Sequence, residues 1–308
     1  AYMIISFALL GVAVSGSLIM PLQRRLIPYF EPLFAVNALL FGITALCCFL
    51  IAQQVPFNTL EILWDPLQWF YLFAIYLLLF LPFLFVTNCT LLALARFQDA
   101  VPRIYASNLF GAGIGALAMV LLMFLAPPIQ LLQLIAITAF AVACGCWLRS
   151  GSVNKWHGIR LSLMFALAVL LTPQQWLELR ITPYKGLQNV LRLPGSEVID
   201  ERHSPLAQLT VVRSPKVPLR SVDGLSLMAD REPLPQLGVF SDGGAMTPIN
   251  RYRGARSSLD YLDYLTSALP YHLQADGLKS AEVLILAAGG GSQILQAHYH
   301  RVSRIVAV

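Results

Sequence analysis

The stretch EVLILAAGGGSQILQAHYHRVSRIVAV, residues 282–308, decides how the polar half of this chain is read. Val283, Leu284, Ile285 and Leu286 form a short continuous apolar run, the pattern of a strand covered on both faces. Three glycines follow, Gly289, Gly290 and Gly291, then a helix-like segment at 293–299 and a second apolar run at 305–308. Strand, glycine-rich turn, helix and strand make the opening of a βαβ unit. Glycines in that turn permit a tight bend and close backbone approach to a ligand. The helix that follows offers free N–H groups to an anion. Ala287, Ala288, Gly289, Gly290, Gly291, Ser292 and Gln293 are therefore the cofactor-binding candidates. The run A-A-G-G-G-S is not G-x-G-x-x-G, and with no Lys-Ser/Thr after it, it is not a P-loop. Nucleotide binding and a merely tight turn both fit it. The chain is expected to stop inside the unit, with the acidic residue that would hold ribose hydroxyls, and any catalytic residue, beyond Val308.

Working outward, the charge distribution divides the chain. Of 21 Lys/Arg and 16 Asp/Glu, only eight and five fall in the first 180 residues, leaving 13 and 11 in the remaining 128. Charged residues are 12% of the whole and mean hydropathy is +0.67, against roughly 25% charge in a soluble domain. The first part therefore reads as membrane and the second as water-soluble. A net charge of +5, spread along the chain, gives no case for nucleic acid.

A spanning helix needs about 20 mostly apolar residues. Residues 2–22, 33–52, 69–95, 104–126 and 129–148 qualify, the third containing Pro82. The first run starts with no charged segment before it, so it reads as a transmembrane helix rather than a signal peptide, with sequence expected ahead of it. A sixth segment, 161–177, has a short apolar core followed by Pro173, and suits a span or an interfacial or re-entrant helix. Arg24 and Arg25, then Arg96 and Arg103, then Arg149, Lys155 and Arg160 occupy alternate loops, which the positive-inside rule places in the cytoplasm. If the sixth segment spans, the soluble part lies outside; if it does not, the soluble part is cytoplasmic. The expected location is a bacterial inner membrane, with that side undecided.

Within the apolar part, Gly111, Gly113 and Gly115 read as a helix-packing surface. Asn37, Asn88 and Asn108 read as interhelical hydrogen-bonding groups. Mid-span Asp, Glu and Lys are absent from the sequence, so there is no ion pathway of the usual kind. Cys47, Cys48, Cys89, Cys144 and Cys146 all lie in apolar stretches and read as small packing residues.

In the polar part, 197–199, 209–212 and 238–240 read as short strands separated by proline-rich connectors. Leu259, Leu262, Leu265 and Leu269 share one face of a helical pattern that Pro270 ends. Asp260 and Asp263, three apart, share a side. His203, His298 and His300 show no metal-ligand company, and His298 and His300 face different ways, so no metal is assigned.

The order of these parts resembles the membrane-fused relatives of spermidine synthase. The residues that carry the likeness are Tyr105-Ala-Ser-Asn108-Leu-Phe-Gly111-Ala-Gly113, Tyr184-Lys-Gly-Leu187, Ser204-Pro-Leu-Ala-Gln-Leu-Thr-Val211-Val212, Gly224-Leu-Ser-Leu227, Phe240-Ser-Asp242-Gly243, Ser267-Ala-Leu-Pro270-Tyr271 and residues 283–292. The resemblance implies a multi-pass α-helical membrane region (1–178), a small β-rich segment with a linking helix (179–275), and the start of a Rossmann-like α/β methyltransferase-type domain (276–308). It further implies S-adenosylmethionine or its decarboxylated form as co-substrate, an alkyl transfer to a small acceptor such as a polyamine, and possible homo-oligomers. Asp242, Tyr261 and Asp263 become substrate-binding candidates. The departures are specific. Where the family has S-x-Y-Q this chain has Ser204-Pro205-Leu206-Ala207. Its D-G-x-x-Q becomes Asp242-Gly243-Gly244-Ala245-Met246, its Y-H-E becomes Tyr261-Leu262-Asp263, and its G-G-G-D-G-G becomes Ala287-Ala288-Gly289-Gly290-Gly291-Ser292. A polyamine needs carboxylates and amides around its amines, and part of that set is lost here. Two other classes therefore stay open: a non-enzymatic membrane protein with a degenerate ligand-binding domain, and a transporter with a regulatory soluble domain.

Overall fold

The computed structural model describes residues 2–59, 61–151, 154–173, 177, 181–182, 184–274 and 281–308. It divides into two compact units, Ala1–Arg180 and Ile181–Val308.

The first unit is helical: α1 (Tyr2–Leu26), α2 (Phe30–Ala52), α3 (Leu67–Arg96), α4 (Val101–Leu122), α5 (Pro128–Arg149) and α6 (Lys155–Leu171). Among the described residues, four helical stretches are long and apolar enough to cross a membrane, at Ile5–Ala52, Leu67–Arg96, Gln98–Leu122 and Pro128–Arg149. The first holds both α1 and α2, joined by a 3-10 turn at Ile27–Tyr29. Their contacts with α3 show a hairpin. Phe7 meets Tyr76 and Ser15 meets Asn88, so α1 runs with α3. Phe30 meets Phe97 and Asn37 meets Asn88, so α2 runs against it. Asn88 joins all three helices: its Nδ2 donates to Asn37 Oδ1 (3.0 Å) and its Oδ1 accepts from Ser15 Oγ. Asn108, by contrast, sits on the exposed α4.

The expected packing role of Gly111, Gly113 and Gly115 is not met among the described residues, because none of them lies within 4 Å of where their Cβ atoms would be. Close approach occurs instead at glycines the sequence does not flag. A Cβ on Gly42 would stand 2.5 Å from the Phe140 ring and 3.0 Å from the Ala136 carbonyl, and Gly158 lies under the Trp147 ring. Gly158 marks one end of an antiparallel α5–α6 pair. Phe140 and Phe165 rings are 6.1 Å apart in its middle, and Gln133 Nε2 donates to the Val169 carbonyl (3.2 Å) near the far end. The 17 residues of α6 extend about 26 Å. Leu177, past Pro173, is buried in the same apolar cluster as Ala136, Phe140 and Val169.

The second unit begins with a short helix, α7 (Gly186–Leu191), followed by a four-stranded antiparallel sheet in the order β1 (Glu197–His203), β2 (Gln208–Arg213), β3 (Gln236–Ser241), β4 (Met246–Asn250). Alternation sends Thr210 and Val212 of β2, and Gln236, Gly238 and Phe240 of β3, into buried positions. Leu187 of α7 packs on Val212 and Phe240. Strand β4 was not expected, since Pro248 interrupts its pattern; at the edge of the sheet its missing N–H costs no ladder bond.

The segment expected to be one helix with Leu259, Leu262, Leu265 and Leu269 on a face is a 3-10 helix at Arg256–Tyr264, a second 3-10 turn, and then α8 (Leu269–Leu273). Three residues per turn still stack Leu259 and Leu262 into the core, but Leu269 is exposed. Pro270 starts α8 rather than ending a helix, since a first-turn N–H has no helical acceptor. Then β5 (Glu282–Ile285), α9 (Ser292–Tyr299) and β6 (Arg304–Ala307) follow, with β5 and β6 paired in parallel.

Candidate functional site

At the end of β5 the backbone turns through the left-handed region at Ala287 (φ 55°), Gly289 (φ 53°) and Gly291 (φ 81°), the last serving as N-cap of α9. Gly289 and Gly291 take that region without a Cβ clash; Ala287 does not. The turn is fixed by backbone bonds from Gly291 N to the Ala288 carbonyl (2.9 Å) and from Ala288 N to the Val308 carbonyl (3.3 Å). Gly290 needs to be glycine for another reason: a Cβ there would run into the Pro248 carbonyl of β4. Thr247 likewise presses on Gly289. The glycine-rich turn thus packs on the edge of the antiparallel sheet.

A chain of amides and hydroxyls, half-buried at Asn250 and Ser292 and buried at Gln236 and Tyr261, begins at the same place. Asn250, last in β4, donates from Nδ2 to Ser292 Oγ (2.9 Å). Its Oδ1 accepts from Gln236 Nε2 (2.9 Å) and from the Tyr261 hydroxyl (3.2 Å). Gln236 Oε1 in turn accepts from Ser221 N–H (2.7 Å). Burial pushes the Tyr261 phenol up to about 12, so it keeps its proton and donates. Neither Asn250 nor Gln236 stands out in the sequence: one ends a strand interrupted by proline and the other opens a strand directly after Pro235. Both also line an open cavity of about 520 Å³ with Arg213, Ser214 and Arg251. Arg213 is ion-paired with Glu197, and among the described residues no carboxylate lines the cavity. Gln293 lines a second cavity, of about 360 Å³, with Tyr271 and Gln296.

The three substrate-binding candidates lie in three different places. Asp242 (φ 50°) closes the turn after β3, where its Oδ1 accepts from Gln208 N–H (2.9 Å) and its carbonyl from Lys185 Nζ (2.6 Å). Tyr261 belongs to the buried network. Asp263 faces two imidazoles: its Oδ1 lies 2.8 Å from His272 Nε2 and 3.3 Å from His300 Nε2. This corrects the expectation that His300 has no metal-ligand company. His300 caps α9, its ring stacks on Tyr271 at 4.5 Å, and the 3-10 helix and α8 bring Asp263 and His272 to it. His298 does face elsewhere, its ring 5.9 Å from that of Tyr252.

Fold and site together define a bundle of long apolar helices followed by a unit in which a small antiparallel sheet abuts a parallel strand–turn–helix–strand element. No protein-family model, no curated protein and no solved structure matches this chain.

Proposed function

We propose that the protein is a membrane-anchored, spermidine synthase-like transferase that binds S-adenosylmethionine or its decarboxylated form at a Rossmann-like glycine turn. The observation that carries this reading is the N-terminus of α9. Gly291 caps it in the left-handed conformation, directly after a parallel strand, and Ser292 is held there by Asn250. Backbone N–H groups at such an end suit an anionic or hydroxyl-rich ligand. An adenosyl sulfonium is already activated, so the protein's task is alignment of the nucleophile. The 520 Å³ cavity beside Asn250, with Arg213 and Arg251 and no carboxylate in its described lining, suits a neutral or anionic acceptor better than a polyamine.

The test is calorimetric titration of full-length protein in detergent with each adenosyl compound. Binding is expected in the wild type and its loss in Gly289→Val/Gly291→Val, with the helical unit still folded by far-ultraviolet circular dichroism. Preference for the decarboxylated form would mean aminopropyl transfer, and preference for the ordinary form methyl transfer. Equal affinity in the double variant, or no binding by the wild type, would sink the reading.

One observation favours the non-enzymatic alternative, a degenerate binding domain. Helix α6 runs antiparallel to α5 from Trp147 to Gln133, as a span would. If the basic loops are cytoplasmic, the chain after α6 continues on the opposite side, away from the cytoplasmic adenosyl pool. A phosphatase fused after Val308 separates the two readings. Activity outside the cytoplasm supports the alternative, and a cytoplasmic fusion supports the transferase.

A further inference from the structure

Three side chains from three separate segments converge at the end of α9 remote from the glycine turn. Asp263 comes from the 3-10 helix Arg256–Tyr264, His272 from α8, and His300 from the C-cap of α9. Their donor atoms all lie within 4.8 Å of one another. The His300 side chain is nine-tenths buried, yet its Nε2 makes no hydrogen bond, and neither does Asp263 Oδ1, 3.3 Å away. Both imidazoles approach the one carboxylate oxygen, but neither His300 Nε2 nor Asp263 Oδ1 gains a well-formed hydrogen bond, so the desolvation cost of these two buried atoms is offset only in part.

An ordinary ion pair explains only part of this. His272 is more than half exposed, and a solvent-facing His–Asp pair accounts for the 2.8 Å approach on that side. It does not explain why His300 turns its Nε2 to the same carboxylate oxygen. The ring is held in place by the Tyr271 face stacked on it, the planes 5° from parallel. The neighbouring cation, Arg256, is occupied by the Tyr299 carbonyl (2.8 Å) and does not fill the gap.

We propose that Asp263, His272 and His300 form a binding site for a divalent transition-metal ion of the zinc class. Two imidazole nitrogens and a carboxylate oxygen are a three-protein-ligand set suited to such an ion, with a fourth position left for water. Bonds of about 2.0–2.1 Å place tetrahedral donors a little over 3 Å apart, near the 2.8 and 3.3 Å that separate Asp263 Oδ1 from the two imidazole nitrogens. The ion would tie the 3-10 segment, α8 and the end of α9 together at a point the glycine turn does not touch.

The experiment strips the detergent-solubilised full-length protein with a chelator and titrates zinc alone by calorimetry. One saturable zinc per chain is expected, with a raised unfolding midpoint for the second unit. Asp263→Asn, isosteric and safe for the fold, and His272→Gln, on the exposed side, should each weaken binding at least about tenfold and lose the midpoint shift. His298→Ala should leave both unchanged. Cobalt in place of zinc should give the strong visible bands of a four-coordinate ion in the wild type and lose them in Asp263→Asn. Binding by Asp263→Asn as tight as wild type, an equal loss in His298→Ala, or no saturable binding at micromolar zinc would each overturn the site.

Discussion

The two glycine clusters of this protein, Gly111/Gly113/Gly115 in α4 and Gly289/Gly290/Gly291 after β5, look alike on paper and differ in what surrounds them. The α4 glycines stand in open space. The others meet Thr247 and Pro248 and, at two of three positions, a backbone that L side chains rarely adopt. A run of small residues therefore says that close approach is possible, while the neighbouring backbone decides whether it is required. The strongest way to break this contrast is to add side chains. Gly290→Val should lower the stability of the second unit by about 3 kcal/mol, because the atom it meets is a β4 carbonyl that cannot swing aside. Gly113→Ala should stay within about 0.5 kcal/mol. Denaturant melts read by circular dichroism measure both, and a tolerated Gly290→Val would show that the turn is loose against the sheet.

The next largest effect sharpens the contrast inside the helical unit. Gly42→Val pushes against Phe140 and the Ala136 carbonyl, so α2 and α5 must separate; about 2 kcal/mol should be lost, read as a lower thermal midpoint in detergent. The turn also contains its own inversion of the rule. Ala287 holds φ 55° where the resembled family has glycine, so Ala287→Gly should stabilise the second unit by about 1 kcal/mol. No gain there would mean that the left-handed conformation is relaxed by its surroundings.

What was legible in the sequence follows the same division between pattern and neighbour. Long apolar runs, the strand–glycine–helix–strand order, and most strand positions depend on local periodicity, and the structure has these elements close to where periodicity puts them. That Asn37 and Asn88 bond between helices was also legible, because an amide in an apolar helix has few alternatives to a partner on another one, though the pairing was not and Asn108 stays exposed. Contacts between distant segments left no such trace. Nothing near Asp263 in sequence announces His272 or His300; nine and 37 positions separate them from it. Asn250 lies two residues after a proline, in a five-residue strand whose pattern does not announce it, and only the fold carries it to Ser292. Pro270 was misread because a proline that ends one helix and a proline that begins the next look the same until the backbone is known.

The smallest expected effect concerns the polar chain that links the sheet to the glycine turn. Tyr261→Phe removes one donor to Asn250 Oδ1, which still accepts from Gln236, so the loss should be about 1 kcal/mol or less. Its pH dependence reports the burial of the hydroxyl. The phenol's folded pKa, about 12, stands above the usual value near 10, so the fold favours the protonated form. That contribution is fully present below pH 10 and is lost as pH rises from 10 towards 12, because the unfolded chain gives up its proton first. Wild-type melts should therefore steepen in their decline between pH 10 and 12, and Tyr261→Phe should remove that part of the slope while leaving the neutral-pH melt close to wild type. Identical alkaline slopes in the two proteins would place the hydroxyl in contact with water, outside the core that holds Leu259 and Leu262.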